Sequence, residues 1–166
     1  MNSTQLIGKL FVSRQKAIDL YAVKPAEIQD KVFRHLISKA TDTKWGAQHQ
    51  YAQIQTYHDF QQQVPVQTYE EVKPYVERMR QGESDVLWPG KVCWFAKSSG
   101  TTNDKSKFIP VSKDGLHDAH YAGGADCVAS YLRNNPQSRF FSGKGLILGG
   151  SHAPNYNLKN SLVGDL

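Results

Sequence analysis

Apolar residues in the first half of the chain recur every three or four positions, which is the period of an amphipathic α-helix. One such set follows Pro25, a residue that suits the first position of a helix because it has no N–H to satisfy. An earlier set has the same spacing, so we expect one amphipathic helix before Pro25 as well. The later face consists of Ile28, Val32, Phe33, Leu36 and Ile37. The earlier face consists of Leu6, Leu10, Phe11, Ala17, Ile18 and Tyr21.

Two short helices are expected further along the chain. Thr43 precedes Trp45 and is predicted to cap a short helix there. A second short helix is expected between Thr56 and Gln63. Thr43 suits the capping position because a threonine oxygen accepts a hydrogen bond from an N–H group that the helix start leaves unpaired.

A longer helix is predicted after Thr68, because Glu71 follows it at the third position and completes the capping-box pattern. Pro74 lies too far inside to be a first-turn proline, so we expect a kink or a helix that starts nearer Lys73. Gly82 is the expected C-terminal stop. We interpret this segment as a scaffold helix beneath the following loop and assign no catalytic role to its glutamates. Its apolar face consists of Tyr69, Val72, Val76 and Met79.

Short apolar runs replace the helical period in the second half of the chain. Val92–Phe95 and Phe108–Val111 predict two strands with a polar loop between them. Ser112 is expected to cap a helix that reaches about Leu132, where Asn134–Pro136 interrupts the pattern.

A further short buried strand is predicted at Lys144–Leu148, before Gly149. The chain has 166 residues, 39% of them hydrophobic and 11% aromatic, which suits one domain with a buried core. We therefore predict an α/β fold with a helix-rich first half followed by mixed strands and helix. The whole of 1–166 is taken as a single region, mainly helical over 1–85, with the strand–loop–strand, a helix and a strand over 91–166.

The loop between the two predicted strands carries the most informative chemistry. Hydroxyls and backbone N–H groups in a tight turn beside an ammonium group suit a polyphosphate, because the turn offers donors and the lysine offsets charge. The pattern is not a Walker loop, since no G-x-x-x-x-G-K-[ST] is present and no helix follows directly. A plain hairpin turn is the alternative on spacing alone. The candidate residues are Ser98, Ser99, Gly100, Thr101, Thr102 and Lys107.

Two blocks carry a resemblance to known enzymes. Ser98–Thr102, followed five residues later by Lys107, resembles the nucleotide-binding signature of the adenylate-forming superfamily. Val64–Glu83 resembles the block upstream of that loop in the auxin-responsive-promoter acyl-acid amido synthetases. The order and spacing of the blocks are those of that family, and the resemblance runs from about Thr41 onward.

The resemblance implies an ATP-dependent ligase that activates a carboxylic acid as an acyl-adenylate and transfers the acyl group to an amine such as an amino acid. It implies that Ser98, Ser99, Thr101 and Thr102 donate to the phosphates of ATP, supplied with Mg²⁺, and that Gly100 permits close backbone approach. Lys107 is then the catalytic cation that stabilises the departing pyrophosphate. Where many superfamily members have glycine, this chain has Asn103 and Asp104.

The resemblance also implies an incomplete large domain of the adenylate-forming fold. We expect the chain to be an N-terminal fragment that is inactive alone, with small-molecule acid and amine substrates. An acyl-CoA ligase-like enzyme and a non-catalytic binding remnant remain alternatives.

The net charge of +5 and the pI near 9.2 raise nucleic acid as a partner. Acidic residues are scattered among the basic ones without a like-charge run, so we predict no nucleic-acid binding. No membrane contact and a cytoplasmic location are expected, because no signal peptide or bilayer-spanning stretch is visible. Cys93 and Cys127 are expected to be buried reduced thiols. We interpret His117 and His120 as part of a solvated helix face and predict no metal site.

Overall fold

A computed structural model of the chain describes residues 3–98, 107–146, 149, 152 and 154–165. Its residues divide into two compact units. The first, which we call the helical unit, comprises Met1–Gln29 and Asp114–Gly149. The second, the sheet unit, comprises Asp30–Lys113 and Gly150–Leu166. The structure has the helix-rich, mixed α/β character that the sequence predicts.

The N-terminal part of the helical unit is not the single amphipathic helix that we expected. Helix α1, Ser3–Gly8, passes into a 3₁₀ turn, Lys9–Phe11, before helix α2, Val12–Val23. Leu10 lies in that turn with 76% of its surface exposed, so the apolar positions do not form one continuous buried stripe. The prediction is therefore wrong about continuity.

The C-terminal part of the helical unit begins with a π-helical stretch, Gly115–Tyr121, and continues as helix α7, Ala122–Asn134. Its end agrees with the predicted break. Helix α2 packs against α7, and the Arg14 guanidinium pairs in bidentate fashion with the Asp126 carboxylate at 2.7 and 2.8 Å. The apposition of these two helices therefore includes a charge-assisted fork.

Three predicted helix starts are confirmed. Helix α3, Pro25–Ala40, opens at the proline, and α4, Lys44–Gln48, begins where the Thr43 hydroxyl accepts from the Gly46 N–H. Helix α5, Tyr57–Gln63, has a capping box between Thr56 and Asp59. Each signal acts over three or four residues, so the distant parts of the chain cannot override it easily.

Helix α6, Tyr69–Arg80, starts at the predicted capping box and not near Lys73, so that alternative is wrong. It continues through Pro74 because its start is capped and its second half is anchored by Val76 and Met79, each 2% exposed. At its end, Gly82 has φ +92° and donates to Met79, while Glu83 donates to Arg78. These two bonds form a Schellman motif, which confirms the glycine stop.

The sheet has three described strands in the order β2–β1–β3. Strand β1 is Trp94–Lys97, β2 is Phe108–Val111, and β3 is Leu162–Asp165. Strand β2 runs antiparallel to β1, which confirms the strand–loop–strand prediction, and β3 runs parallel to β1. The core beneath the sheet consists of Val76, Met79, Val86, Val92, Phe95 and Val163.

The predicted buried strand at Lys144–Leu148 is wrong over the residues that the structure describes. Residues 144–146 form no strand, and Leu146 is 88% exposed. The third strand is β3 instead, because its Val163 lies opposite Phe95 and is fully buried in the core. A short apolar run becomes a strand only where a neighbouring strand pairs with its backbone.

Candidate phosphate-binding site

The two ends of the predicted phosphate loop lie in the sheet unit, where β1 ends and β2 begins. Ser98 directly follows β1, and Lys107 directly precedes β2. The other predicted contacts, Ser99, Gly100, Thr101 and Thr102, lie outside the described residues. The structure therefore places two of the six candidate residues.

Ser98 and Lys107 close the mouth of the loop by bonding to each other. The Ser98 N–H donates to the Lys107 carbonyl at 3.0 Å, and the Lys107 N–H donates to the Ser98 hydroxyl at 3.2 Å. Because that hydroxyl oxygen accepts, its own hydrogen is still available as a donor. Both residues are half-buried, so their side chains can meet a ligand from solvent.

Tyr69, the first residue of α6, contacts both Lys107 and its neighbour on β2. Its hydroxyl accepts from the Phe108 N–H at 2.8 Å. Its ring centroid lies 5.4 Å from the Lys107 ammonium, within the range of a cation–π contact. The scaffold helix thus reaches the exit of the loop directly.

The entry of the loop has a similar arrangement on another tyrosine. The Lys97 ammonium lies 4.7 Å from the ring centroid of Tyr156, and Lys97 pairs with Phe108 across the sheet. Two cationic side chains therefore flank the loop, one at each end, each over the face of a tyrosine.

A buried arginine connects the two ends. The Arg80 guanidinium lies 3.8 Å from the Phe108 ring centroid and donates to the Tyr156 carbonyl at 2.9 Å. Its side chain is only 9% exposed and pairs with Glu77 at 3.2 Å. A charged group in this position is held by several partners at once, which fixes the segments around it.

No sequence pattern predicted a role in the site for Tyr69, Arg80 or Tyr156. Tyr69 and Arg80 lie in the block that carries the family resemblance, but the helical spacing explained Tyr69 as part of an apolar stripe. Tyr156 lies in a 3₁₀ turn, Pro154–Tyr156, that no pattern predicted. The pairing of β1 with β3 and the bond from Arg80 to the Tyr156 carbonyl bring that turn near the loop.

Several expectations about other sites can also be compared with the structure. Within the described ranges, no group of three His, Cys, Asp or Glu side chains is arranged to hold a metal ion.

Cys93 and Cys127 are free thiols, but both are exposed, so the expectation of burial is wrong. Cys93 immediately precedes β1 but points outward, whereas Val92 beside it enters the core. None of the helices that the structure describes combines the length and apolar character needed to span a bilayer.

Comparison with known proteins identifies relatives of this chain. A model of the GH3 family N-terminal domain matches residues 14–158. The chain is 27% identical over 106 residues to the Arabidopsis thaliana indole-3-acetic acid-amido synthetase GH3.2, covering 63% of this chain and 19% of that protein. It is 32% identical over 84 residues to the Arabidopsis thaliana 4-substituted benzoates-glutamate ligase GH3.12, covering 50% of this chain and 14% of that protein.

Solved structures with a similar fold come from the same family. The GH3.15 acyl acid amido synthetase superposes with a TM-score of 0.71 and 24% identity, covering 92% of this chain and 27% of that one. A second structure of the GH3.15 enzyme, in complex with 2,4-DB, has a TM-score of 0.69, 24% identity and coverage of 82% and 24%. The chain spans less than a fifth of the length of the two curated relatives above. Its fold matches part of the fold of the GH3.15 acyl acid amido synthetase.

The match to the family spans most of the chain and begins well before the two blocks that first indicated it. It confirms the resemblance to the acyl-acid amido synthetases, whose members are acid–amino acid ligases. This chain belongs to the GH3 family and represents its N-terminal domain.

Proposed function

We propose that this chain is the triphosphate-binding part of an ATP-dependent acyl-acid amido synthetase. The observation that carries the proposal is the strand–loop–strand of β1 and β2, with Ser98 and Lys107 facing each other across its mouth. Among the described residues, the Lys107 ammonium contacts the Tyr69 ring and pairs with no carboxylate. The family match supports an amido synthetase over the alternative of an acyl-CoA ligase.

The reaction that we propose for the whole protein has two steps. A carboxylate oxygen of the acid bonds to the α-phosphorus of ATP while the bond to the bridging oxygen breaks, which gives an acyl-adenylate and pyrophosphate. An amine nitrogen then bonds to the acyl carbon, loses a proton, and displaces AMP with its oxygen. Magnesium enters with ATP as a substrate complex and shields phosphate charge.

In this scheme the chain's own residues bind and neutralise the phosphate tail. Lys107 lies at the loop exit and stabilises the negative charge that develops on the departing pyrophosphate. Ser98 donates its hydroxyl hydrogen to a phosphate oxygen. Ser99, Gly100, Thr101 and Thr102 are proposed to supply further hydroxyl and backbone donors.

The substrates that we propose are a small carboxylic acid and an amine such as an amino acid, and the proposed location is the cytoplasm. The names of the relatives pair indole-3-acetic acid with amide formation and substituted benzoates with glutamate. The chain spans less than a fifth of the length of those relatives, and we propose that it binds phosphate but does not complete catalysis alone.

Calorimetric titration of the 166-residue chain with magnesium tripolyphosphate tests the phosphate site without requiring any contact to adenine. We expect saturable binding that Lys107→Met weakens at least tenfold. Lys113→Met is the matched control, because Lys113 is exposed and lies beyond β2; it should bind within twofold of the parent. Absence of binding by the parent chain, or equal loss in both variants, would contradict the proposal.

The enzymatic part is tested by transplantation. Residues 14–158 replace the matching region of the GH3.15 enzyme, and ATP–pyrophosphate exchange is measured with its own acid substrate. We expect exchange in the chimera, its loss with Lys107→Met, and none in the isolated chain. A chimera that is folded by circular dichroism and binds ATP, but shows no exchange, would contradict a catalytic role for this region.

A further inference from the structure

We propose that Tyr69 is a positioning residue that presents the Lys107 ammonium to phosphate. Its ring holds the ammonium and its hydroxyl fixes the strand beside it. The inference rests on the proposed function, and it adds a residue on α6 to a site otherwise built from the loop.

The hydroxyl contact fixes the outer edge of β2. Ser98 and Lys107 bond to each other across the sheet, so the next residue, Phe108, directs its N–H away from β1. In the described sheet, β2 lies at the edge and no strand accepts that N–H. The Tyr69 hydroxyl accepts it at 2.8 Å, which ties the residue after Lys107 to helix α6.

The ring contact holds the Lys107 ammonium without neutralising it. A carboxylate in the same place would also fix the side chain, but it would cancel the charge that phosphate needs. An aromatic face attracts the cation through its quadrupole and leaves the net charge at +1. The Lys107 ammonium lies 5.4 Å from the Tyr69 ring centroid, and its N–H groups that face away from the ring can donate to phosphate oxygens.

Tyr69 itself is held by local structure on both sides. It directly follows Thr68, whose N–H and hydroxyl both donate to the Glu71 carboxylate, at 2.6 and 2.7 Å. Two turns further on, α6 is anchored in the core through Val76 and Met79. A side chain on the first residue of an anchored helix loses little freedom when it holds a partner, which is what positioning requires.

Two substitutions separate the roles of the ring and the hydroxyl. Tyr69→Phe keeps the ring and removes the acceptor of the Phe108 N–H, whereas Tyr69→Leu removes both. Tyr75→Phe and Tyr75→Leu are matched controls: Tyr75 is half-buried on the same helix, and its hydroxyl bonds to Gln48 instead. Titration with magnesium tripolyphosphate and the NMR shift of the Lys107 ε-methylene protons are measured on all four.

We expect Tyr69→Phe to keep the upfield ring-current shift of the Lys107 protons and to bind about twofold more weakly. Tyr69→Leu should lose that shift and bind about fivefold more weakly, which is the scale of an exposed cation–π contact. In the Lys107→Met background the Leu substitution should change affinity less than twofold, and both Tyr75 variants should match the parent in shift and affinity.

Parent-like affinity in a folded Tyr69→Leu variant would overturn the inference, and so would an equal loss in the Lys107→Met background. A parent chain that binds no tripolyphosphate would overturn the proposed function instead. In that case the Lys107 proton shift still tests the placement of Tyr69: an unchanged shift in Tyr69→Leu contradicts it independently of any ligand.

Discussion

In the sheet unit, apolar side chains from α6, the following loop, β1 and β3 are buried together, and six of them form one core cluster. The helical unit contains few fully buried residues; in its described part, Thr4 and Ala129 fall below a tenth exposure. There α2 meets α7 through the Arg14–Asp126 fork and an ion pair between Asp19 and Arg133. One unit is held by desolvated packing and the other to a greater extent by polar pairs at its surface.

The densely packed sheet unit can hold site residues in fixed positions more precisely than the helical unit can. Buried apolar contacts are densely packed and resist small displacements, whereas partly exposed ion pairs are weak and depend on salt. Ser98 and Lys107 both lie in the sheet unit, directly at the ends of strands that the core anchors. Substitutions in the two units should therefore differ in their cost to stability.

Removing the centre of the sheet unit's core should have the largest effect. Phe95 is 2% exposed on the central strand, so Phe95→Ala should lower the free energy of unfolding by about 3–5 kcal/mol. Urea unfolding followed by far-UV circular dichroism measures it, because both units contain helices that contribute to the signal. Phe140→Ala is the control, 55% exposed in the helical unit, with an expected loss below about 1 kcal/mol. Equal losses would remove the contrast between the units.

Arg80 is the polar exception inside the sheet unit. Arg80→Met keeps much of the stem but removes the bonds to Glu77 and to the Tyr156 carbonyl, so we expect a loss of about 2–3 kcal/mol. Arg34→Met is matched, since Arg34 also pairs with an acid on its own helix but its side chain is 62% exposed. It should cost less than about 1 kcal/mol. An Arg80→Met chain as stable as the parent would show that packing alone holds the segments around the loop.

In the helical unit, the Arg14–Asp126 ion pair between α2 and α7 tests how much an exposed charge pair contributes to stability. The side chains of Arg14 and Asp126 are 31% and 24% exposed, so Arg14→Ala should cost about 1 kcal/mol or less in low salt. The effect should shrink in 1 M salt, because screening acts on exposed pairs. Far-UV circular dichroism follows it, with Lys16→Ala, an exposed lysine on the same helix, as control. A loss that is independent of salt would indicate that Arg14 acts through packing.

The smallest effect concerns pH at the start of α6. Two hydrogen bonds from Thr68 lower the pKa of the Glu71 carboxyl below its ordinary value of 4.5. A lowered pKa in the folded state means that the contribution to stability is present above that ordinary value and is lost as the pH falls through the folded pKa. Unfolding measured between pH 6 and about pH 3 should therefore show a slightly flatter dependence for Glu71→Gln. Glu70→Gln, one residue away without a bond to Thr68, should follow the parent curve.

Local sequence signals predicted much of the fold. The Pro25 start, the cap at Thr43, the short helix after Thr56 and the Gly82 stop are confirmed, because each depends on backbone groups within a few residues. The two strands around the loop are confirmed as well, since β2 follows β1 in the chain and pairs with it in antiparallel fashion. For the site, the structure shows that Ser98 and Lys107 bond to each other at the mouth of the loop, and the phosphate-binding role of all six candidate residues stays a prediction.

The family and the capped helices could be predicted from the sequence alone. So could the positions in the loop that carry hydroxyl and ammonium groups. That Leu162–Asp165 pairs with β1, whereas residues 144–146 of the predicted strand form no strand, depends on the tertiary structure, because Val163 reaches the core from a distant part of the chain. The tertiary structure also decided that Tyr69 and Tyr156 lie beside Lys107 and Lys97. Such contacts join residues tens of positions apart, and no periodicity along the chain encodes which distant side chains will meet.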